Sequence, residues 1–204
     1  KKQEIKTDID SQEIELFFSP QGYAMYRGVI PLIKEANKSI DISMFFLTHK
    51  NVSKELVAAK NNGINVRVIV DATSATNGYS KHNYLRENGI SVKVENWGGK
   101  MHMKSAIIDG KHLILGSMNW TSAGESKNDE NTLIVRNAKD AKTYQTFFNL
   151  LWSSIDNKWL LRDPLAESTD SYPSCNDTID NDFDRLVDLK DKDCWEIFSN
   201  YKNK

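Results

Sequence analysis

The chain has 204 residues, of which 39% are hydrophobic and 27% are charged, a balance typical of a globular protein large enough to bury a core. No apolar run approaches the roughly 20 residues that span a bilayer, so the sequence predicts no membrane-spanning segment. The net charge of −1 excludes a histone-like polycation, yet residues 175–204 hold eight acidic and five basic side chains, against 20 and 22 in residues 1–174.

The predicted elements alternate between strands and helices. Apolar, β-branched stretches predict strands, and apolar side chains at helical spacing predict helices. In chain order, we expect strands over residues 13–18, 39–47, 64–70, 90–95, 104–108, 113–115 and 132–135, and helices over 23–36, 52–60, 80–88 and 138–155. This order predicts an α/β fold with a mixed, largely parallel β-sheet flanked by helices on both faces.

Local signals refine several of these elements. Pro31 falls inside the first helical pattern as a breaker, and Asn51 is the expected N-cap of the second helix. Asp109 and Gly110 predict a turn between two adjacent strands. The apolar side of the last helix is expected to consist of Phe147, Leu150, Leu151 and Trp152.

Composition divides the chain into four segments. Residues 1–12 form an N-terminal segment, and residues 13–160 form the main α/β domain. Residues 161–174, which include Pro164 and Pro173, are expected to be a linker. Residues 175–204 form a small, irregular, acidic C-terminal extension.

The densest group of polar side chains lies between residues 101 and 131. His102 and Lys104 are two residues apart at the start of a predicted strand, so both side chains point to one face, and Ser117 and Asn119 have the same spacing after the next strand. This combination suits phosphoryl transfer, because an imidazole can attack phosphorus while an ammonium neutralises the non-bridging oxygens and neutral donors bind them. A lone histidine is more often structural, which is the interpretation for His49, His82 and His112.

The spacing His102-x-Lys104-x4-Asp109-x6-Gly116-Ser117-x-Asn119 resembles, without a gap, the HKD signature of the phospholipase D superfamily. The resemblance extends over residues 13 to about 155. Only one such motif is present, so the chain is similar to the single-motif branch, which includes small bacterial endonucleases and mitochondrial members.

The resemblance implies a two-step transfer through a phosphohistidine intermediate. Two HKD motifs surround one phosphate in the family, so a single-motif chain is expected to act as a homodimer with a site on the two-fold axis. Glu130 would accept a hydrogen bond from His102, and Asp109 would hold the strand turn and contact Lys104. No catalytic metal is expected, because the paired lysines neutralise the charge.

Two substrate classes are compatible with the motif. A nuclease needs basic residues around the cleft, and the candidates are Lys81, His82, Lys100, Lys111 and Lys127. A phospholipase D acting at a phospholipid membrane surface needs an exposed apolar rim, for which the candidates are Trp97, Met101, Met103 and Trp120. Small size and motif spacing favour a nuclease on DNA or RNA, with a calcium-regulated phospholipase D as the alternative. A non-catalytic protein ranks third, since every motif position is intact.

The two cysteines, Cys175 and Cys194, bracket the acidic extension. A bracketing pair around a polar segment predicts a disulfide and an extracytoplasmic location, either periplasmic or secreted, in preference to two free thiols in the cytosol. The segment also resembles the short, Cys-bracketed, Asp-rich repeats of extracellular bacterial proteins.

Carboxylates within the extension recur at the oxygen positions of a calcium loop, with a backbone carbonyl available between them. The predicted ligands of a structural or regulatory Ca²⁺ are Asp180, Asp182, Asp184, Leu186 (through its carbonyl), Asp188 and Asp191. Arg185 stands where such loops usually have glycine. A solvated acidic tail is the alternative interpretation.

Overall fold

The computed structural model describes residues 5–9 and 12–195, with side chains from residue 13 onward. Eight strands form one sheet in the order β1-β2-β8-β7-β6-β3-β4-β5. The strands are β1 (Ile5–Ile9), β2 (Gln12–Ser19), β3 (Ser39–Met44), β4 (Asn65–Asp71), β5 (Ser91–Glu95), β6 (Lys104–Ile108), β7 (His112–Gly116) and β8 (Glu130–Arg136). The helices are α1 (Ile30–Glu35), α2 (Lys50–Asn61), α3 (Ala72–Ala75), α4 (His82–Glu87), α5 (Ser122–Ser126) and α6 (Ala138–Ser154).

The mixed α/β class is confirmed, but the balance of strand directions differs from the expectation. Only β3–β4 and β4–β5 are parallel, and the other five pairings are antiparallel. Helical crossovers join the parallel strands, whereas a tight turn joins β6 to β7 and can connect only antiparallel neighbours. Asp109 and Gly110 form this turn with φ values of 55° and 63°, a left-handed backbone that Asp-Gly sequences tolerate.

Apolar side chains pack on both faces of the sheet, as predicted. On β6, Ala106 and Ile108 belong to the core beneath α1 and α2, while Ile107 faces the second core beneath α6. The alternation follows from the two-residue period of a strand. Both faces of β6 are therefore buried, and this central strand is held rigidly at the position where the motif begins.

Two predicted helix details are corrected. Pro31 lies in the first turn of α1, directly after a π-helical turn at Met25–Val29, and the helical segment continues through it without a break. The N-cap of α2 is His49, whose Nδ1 accepts a hydrogen bond from the Val52 N–H at 3.3 Å, and not Asn51. His49 is thereby a structural histidine.

The buried side of α6 is rotated from the predicted one. Phe148 and Leu151 are buried in the core, whereas Phe147 and Leu150 are 51% and 66% exposed. Ala141, Phe148 and Leu151 share one side of the helix because they lie seven and three residues apart. The exposed Phe147 lies beside the motif, in the wall of a cavity that His102 also lines.

Residues 156–195 pack against the main domain as short 3-10 turns and loops. The segment 161–174, expected to be a linker, contains the buried residues Ala166, Glu167 and Ser171 and is not an exposed tether. A disulfide joins Cys175 to Cys194, as predicted. Within the described ranges, no helix combines the length and apolarity needed to cross a membrane.

Candidate active site

His102 and Lys104 lie together at the start of β6. The Lys104 Nζ donates a hydrogen bond to the His102 carbonyl oxygen at 2.6 Å. The Phe45 ring contacts both side chains, with its centroid 4.6 Å from the His102 ring and 5.0 Å from the Lys104 Nζ. Lys104 is buried while His102 is exposed, so the imidazole is open to solvent above a fixed cation.

Ser117 and Asn119 follow β7, the strand next to β6. The Ser117 Oγ donates to Glu130 Oε2 at 2.5 Å and accepts from the Asn131 N–H at 3.1 Å. Gly116 permits this approach, because a Cβ there would collide with the Asn131 carbonyl oxygen. Four of the predicted residues, His102, Lys104, Ser117 and Glu130, therefore lie at the ends of three neighbouring strands, β6, β7 and β8.

The Asn119 amide is oriented by the backbone of the loop after β3. Its Oδ1 accepts a hydrogen bond from the Phe46 N–H at 3.1 Å. The Nδ2 group is left as a donor without a partner among the described residues. Such a neutral donor can bind a phosphate oxygen.

The electrostatics of the pair favour a neutral imidazole. Partial desolvation of the otherwise exposed imidazole, followed by the nearby Lys104 ammonium, lowers the pKa of His102, although Asp71 opposes this shift. Burial also lowers the pKa of Lys104 to about 8, against the opposing charges of Glu130 and Asp71. A neutral His102 beside a protonated Lys104 is the combination that a nucleophilic attack on a phosphodiester requires.

Glu130 and His102 both lie in the described part of the chain. Within one chain they do not form the predicted hydrogen bond. Glu130 accepts instead from Ser117 and, at 3.3 Å, from the Asn128 side chain. Because Glu130 is the first residue of β8, its carboxylate is held beside the end of β7, next to Ser117.

Asp109 lies at the other end of β6. Its carboxylate accepts from the backbone N–H groups of Asn37, Lys38 and Ser39 at 2.9, 2.7 and 3.0 Å. Asp109 is five residue steps along the strand from Lys104, or about 16 Å at roughly 3.3 Å per residue. Asp109 thus holds the turn, as predicted, but the predicted contact with Lys104 is wrong.

Two buried carboxylates near the motif were missed by sequence reasoning. Asp71, the last residue of β4, accepts from the Met101 N–H at 2.7 Å and so fixes the backbone immediately before His102. Glu95, at the end of β5, accepts from the Trp97 N–H at 2.5 Å, and burial followed by the nearby Asp71 charge raises its pKa to about 8. The sequence pattern that could have identified these two carboxylates is an acidic residue at the end of each of two apolar, parallel strands.

Two cavities flank the motif. One, of about 210 Å³, lies on the His102 side and is mainly apolar, with Trp97, Met103 and Phe147 in its wall. The other is a groove of about 690 Å³ on the Asn119 side, lined by polar, aromatic and lysine side chains. Of the predicted apolar rim, Trp97 is 41% exposed, whereas Met101 and Trp120 are buried.

The acidic extension and the segment before it bring five carboxylates together. Oxygens of Asp180, Asp182 and Asp184 lie within 4.8 Å of one another, and the same holds for Glu167, Asp182 and Asp191. Buried oxygens of Asp180 (Oδ1) and Asp191 (Oδ2) have no hydrogen-bond partner. Burial, followed by the repulsion of neighbouring carboxylates, raises the pKa of Asp182, although a backbone N–H opposes it.

This cluster differs from the predicted ligand set in two residues. Asp188 does not belong to either group, because its carboxylate accepts from the backbone N–H groups of Asp177 and Thr178 at 2.9 and 3.1 Å. Glu167 joins the cluster although it lies 13 residues before Asp180, in the segment expected to be a linker. No spacing rule for a calcium loop includes so distant a residue.

Comparison with known families and proteins relates residues 29–152 to the family described as "Cardiolipin synthase, PLD-like domain". Among curated proteins, "Mitochondrial cardiolipin hydrolase" of Chlamydomonas reinhardtii is 34% identical over 117 residues, which is 57% of this chain and 52% of that protein. "Phospholipase D" of Rickettsia prowazekii is 28% identical over 134 residues, or 65% of this chain and 64% of that protein. The chain thus spans between half and two thirds of these relatives.

Two solved structures are similar over nearly their whole length. Nuc from Salmonella typhimurium, a phospholipase D family member, has a TM-score of 0.68 and 28% identity, covering 76% of this chain and 99% of that one. NucT from Helicobacter pylori has a TM-score of 0.66 and 23% identity, covering 71% and 98%, which supports the fold. The family match ends at residue 152, so the acidic extension lies beyond it.

Proposed function

This chain belongs to the phospholipase D superfamily, and we propose that it is a phosphodiester hydrolase whose substrate is DNA or RNA. The observation that carries the proposal is the exposed imidazole of His102 above the buried ammonium of Lys104, next to a lysine-containing groove. A phosphodiester needs this pairing of a nucleophile with a fixed positive charge.

The proposed mechanism has two steps. The neutral imidazole of His102 attacks phosphorus, a phosphorus–nitrogen bond forms, and the bond to the leaving oxygen breaks as that oxygen takes a proton from a second histidine. Water then attacks the phosphohistidine, giving its proton back to the second histidine and releasing His102. Lys104 and the Asn119 Nδ2 bind the non-bridging oxygens throughout.

The second histidine is proposed to be His102 of another copy of the chain, in a homodimer. These 204 residues contain one His-x-Lys motif of this kind, and we place the second histidine of the two-histidine mechanism on a second copy facing the first. The exposure of His102 supports this arrangement, because the imidazole is open toward a partner. No metal takes part in the proposed chemistry, since the paired lysines supply the charge.

A phospholipase D activity is the second candidate. It is favoured by the apolar cavity beside His102, where Trp97 and Phe147 are exposed, and by similarity to proteins named mitochondrial cardiolipin hydrolase. Such a rim suits contact with acyl chains at a membrane surface.

One assay separates the two candidates. The purified protein is incubated with single-stranded DNA, plasmid, RNA, and vesicles of labelled phosphatidylcholine or cardiolipin, with His102→Ala as the control. We expect wild-type protein, and not the variant, to cleave nucleic acid. Cleavage of lipid alone would establish the second candidate and overturn the nuclease.

The extension is proposed to bind one Ca²⁺ through Glu167, Asp180, Asp182, Asp184 and Asp191. Five carboxylates so close together repel one another unless a hard cation joins them, and Ca²⁺ prefers six to eight oxygen ligands. The unpartnered, buried oxygens of Asp180 and Asp191 support this proposal. The Leu186 carbonyl remains an additional predicted ligand.

An extracytoplasmic location, periplasmic or secreted, is proposed on the basis of the Cys175–Cys194 disulfide. Disulfides persist in oxidising compartments and are rare in the cytosol. Millimolar calcium outside the cell also suits weak extracellular calcium modules. Fractionation of the native host with an antibody against the protein tests this location.

A further inference from the structure

The groove on the Asn119 side adjoins the loop that orients the Asn119 side chain. Phe46 lines it, and the same residue donates its backbone N–H to Asn119. The Phe46 ring lies 4.5 Å from Phe45, which in turn contacts His102 at 4.6 Å. The rings of Phe45 and Phe46 therefore lie between the His102 imidazole and the groove. This spacing suits a substrate group that neighbours the reacting phosphate.

The chemistry of the lining points to a polyanion with aromatic groups. Ten residues line the groove and none has a carboxylate. Lys81 and Lys127 supply positive charge, and Thr121 and Ser122 supply hydroxyl donors. Tyr79 is 78% exposed, so most of its ring surface is available to a ligand.

The walls of the groove are held by backbone hydrogen bonds. The Thr48 N–H donates to the Trp120 carbonyl at 3.0 Å, and the Lys81 N–H donates to the Leu47 carbonyl at 2.9 Å. The loop at Tyr79 is fixed by its N–H, which donates to Asn77 Oδ1 at 2.9 Å. A groove already ordered in this way loses little conformational entropy when a ligand binds.

Of the basic residues expected from sequence to contact nucleic acid, only two lie here. Lys100 points to the extension, where its Nζ contacts Thr73 and the Asn181 carbonyl, and His82 is buried against Asp163. Lys111 lies at the β6–β7 turn, at the far end of the strands. Lys81 and Lys127 thus provide the positive charge of this groove.

We propose that this groove binds a nucleotide next to the cleaved phosphate of a single-stranded nucleic acid, with the base stacked on Tyr79 and a flanking phosphate on Lys81 and Lys127. The inference rests on the proposed nuclease function and adds its substrate class. A duplex hides the faces of its bases, whereas every base of a single strand can stack on an aromatic ring. The assignment of Tyr79 therefore predicts a preference for single strands.

The test measures binding of a fluorescent single-stranded oligonucleotide by anisotropy, in protein that also contains His102→Ala to prevent turnover. Tyr79→Ala should weaken binding roughly 5- to 150-fold, as expected for loss of one base-stacking contact. Lys81→Ala and Lys127→Ala should each reduce the slope of log affinity against log salt by about 0.7. Tyr172→Ala and Lys111→Ala, exposed residues outside the groove, are the matched controls and should bind as the parent does.

Each outcome decides between distinct conclusions. If the wild-type protein hydrolyses a small diester such as bis(p-nitrophenyl) phosphate but neither binds nor cleaves DNA or RNA, the nuclease function itself fails. If it cleaves single strands while Tyr79→Ala binds them normally, the groove assignment alone is overturned. If Tyr79→Ala weakens the binding of duplexes and of single strands equally, the proposed stacking of a base on Tyr79 is overturned. A thermal midpoint within the error of wild type excludes misfolding of the variants.

Discussion

Removing calcium should destabilise this protein, and Asp191→Asn should abolish most of the calcium response. Asp191 is only 1% exposed, and its Oδ2 has no hydrogen-bond partner although it lies against Glu167 and Asp182. The substitution preserves the size of the side chain but removes the charge that a hard cation needs. Without the cation, the remaining carboxylates repel one another at close range.

The size of the effect follows from ligand linkage. A ligand that binds only the native state stabilises it by about 2.7 kcal/mol when its concentration is 100 times its Kd. In a chain of about 200 residues, each kcal/mol shifts the thermal midpoint by roughly 2–4 °C, so saturating calcium should raise it by roughly 5–11 °C. Asp191→Asn should reduce this shift to a small fraction.

The assay is thermal unfolding followed by circular dichroism, in EDTA and in saturating calcium. Asp193→Asn is the matched control, because this exposed aspartate lies two residues away and outside both carboxylate groups. It should retain the full calcium shift. A wild-type midpoint that calcium does not move, or a full shift in Asp191→Asn, would refute the proposed site.

Chelation should also lower the rate of hydrolysis while the protein is still folded. Asn181, between two proposed ligands, accepts hydrogen bonds at its carbonyl from Thr73 (2.7 Å) and Lys100 (3.2 Å). Asp177 accepts from the Gly99 N–H at 2.5 Å, so the extension supports the segment that leads to His102. Activity should fall without disappearing, because the proposed chemistry does not use the cation.

The remaining predictions concern the catalytic residues. His102→Ala should abolish turnover with little change in thermal midpoint. Mixed dimers of a His102→Ala subunit and a Lys104→Ala subunit should stay inactive, since each site lacks one of its two histidines. Recovery of activity when the two variants are mixed would contradict the shared site. Activity should fall as the pH rises, because the second His102 must hold the proton that it donates and because the Lys104 ammonium loses its proton at about pH 8. A pH–rate profile that has not fallen above about pH 8 would contradict both roles. Asp71→Asn should lower kcat by up to about 100-fold, because the backbone before His102 loses its hydrogen bond and the imidazole is misplaced. It should also move the acidic limb of the pH–rate profile to lower pH, because Asp71 raises the pKa of His102. An unchanged profile would leave Asp71 with a merely structural role.

The fold class and the motif were readable from the sequence because each depends on short-range patterns. Lys104 to Asn119 are two adjacent strands and a tight turn, so their side chains come together whatever the rest of the chain does. The disulfide was predictable because its cysteines close a short loop. The strand directions could not be predicted from the sequence in the same way. The alternation of strands and helices along the chain does not show that β8 pairs with β2 and β7.

The sequence by itself determined the α/β class and the presence of an acidic, disulfide-closed extension, and it supplied the proposed reacting group. Only the tertiary structure decided that Glu167 replaces Asp188 in the carboxylate cluster, that Asp71 holds the backbone before His102, and that Tyr79 and Lys127 share one groove. These contacts join residues from different elements of the chain. Their meeting depends on strand order and loop packing, which no local pattern encodes.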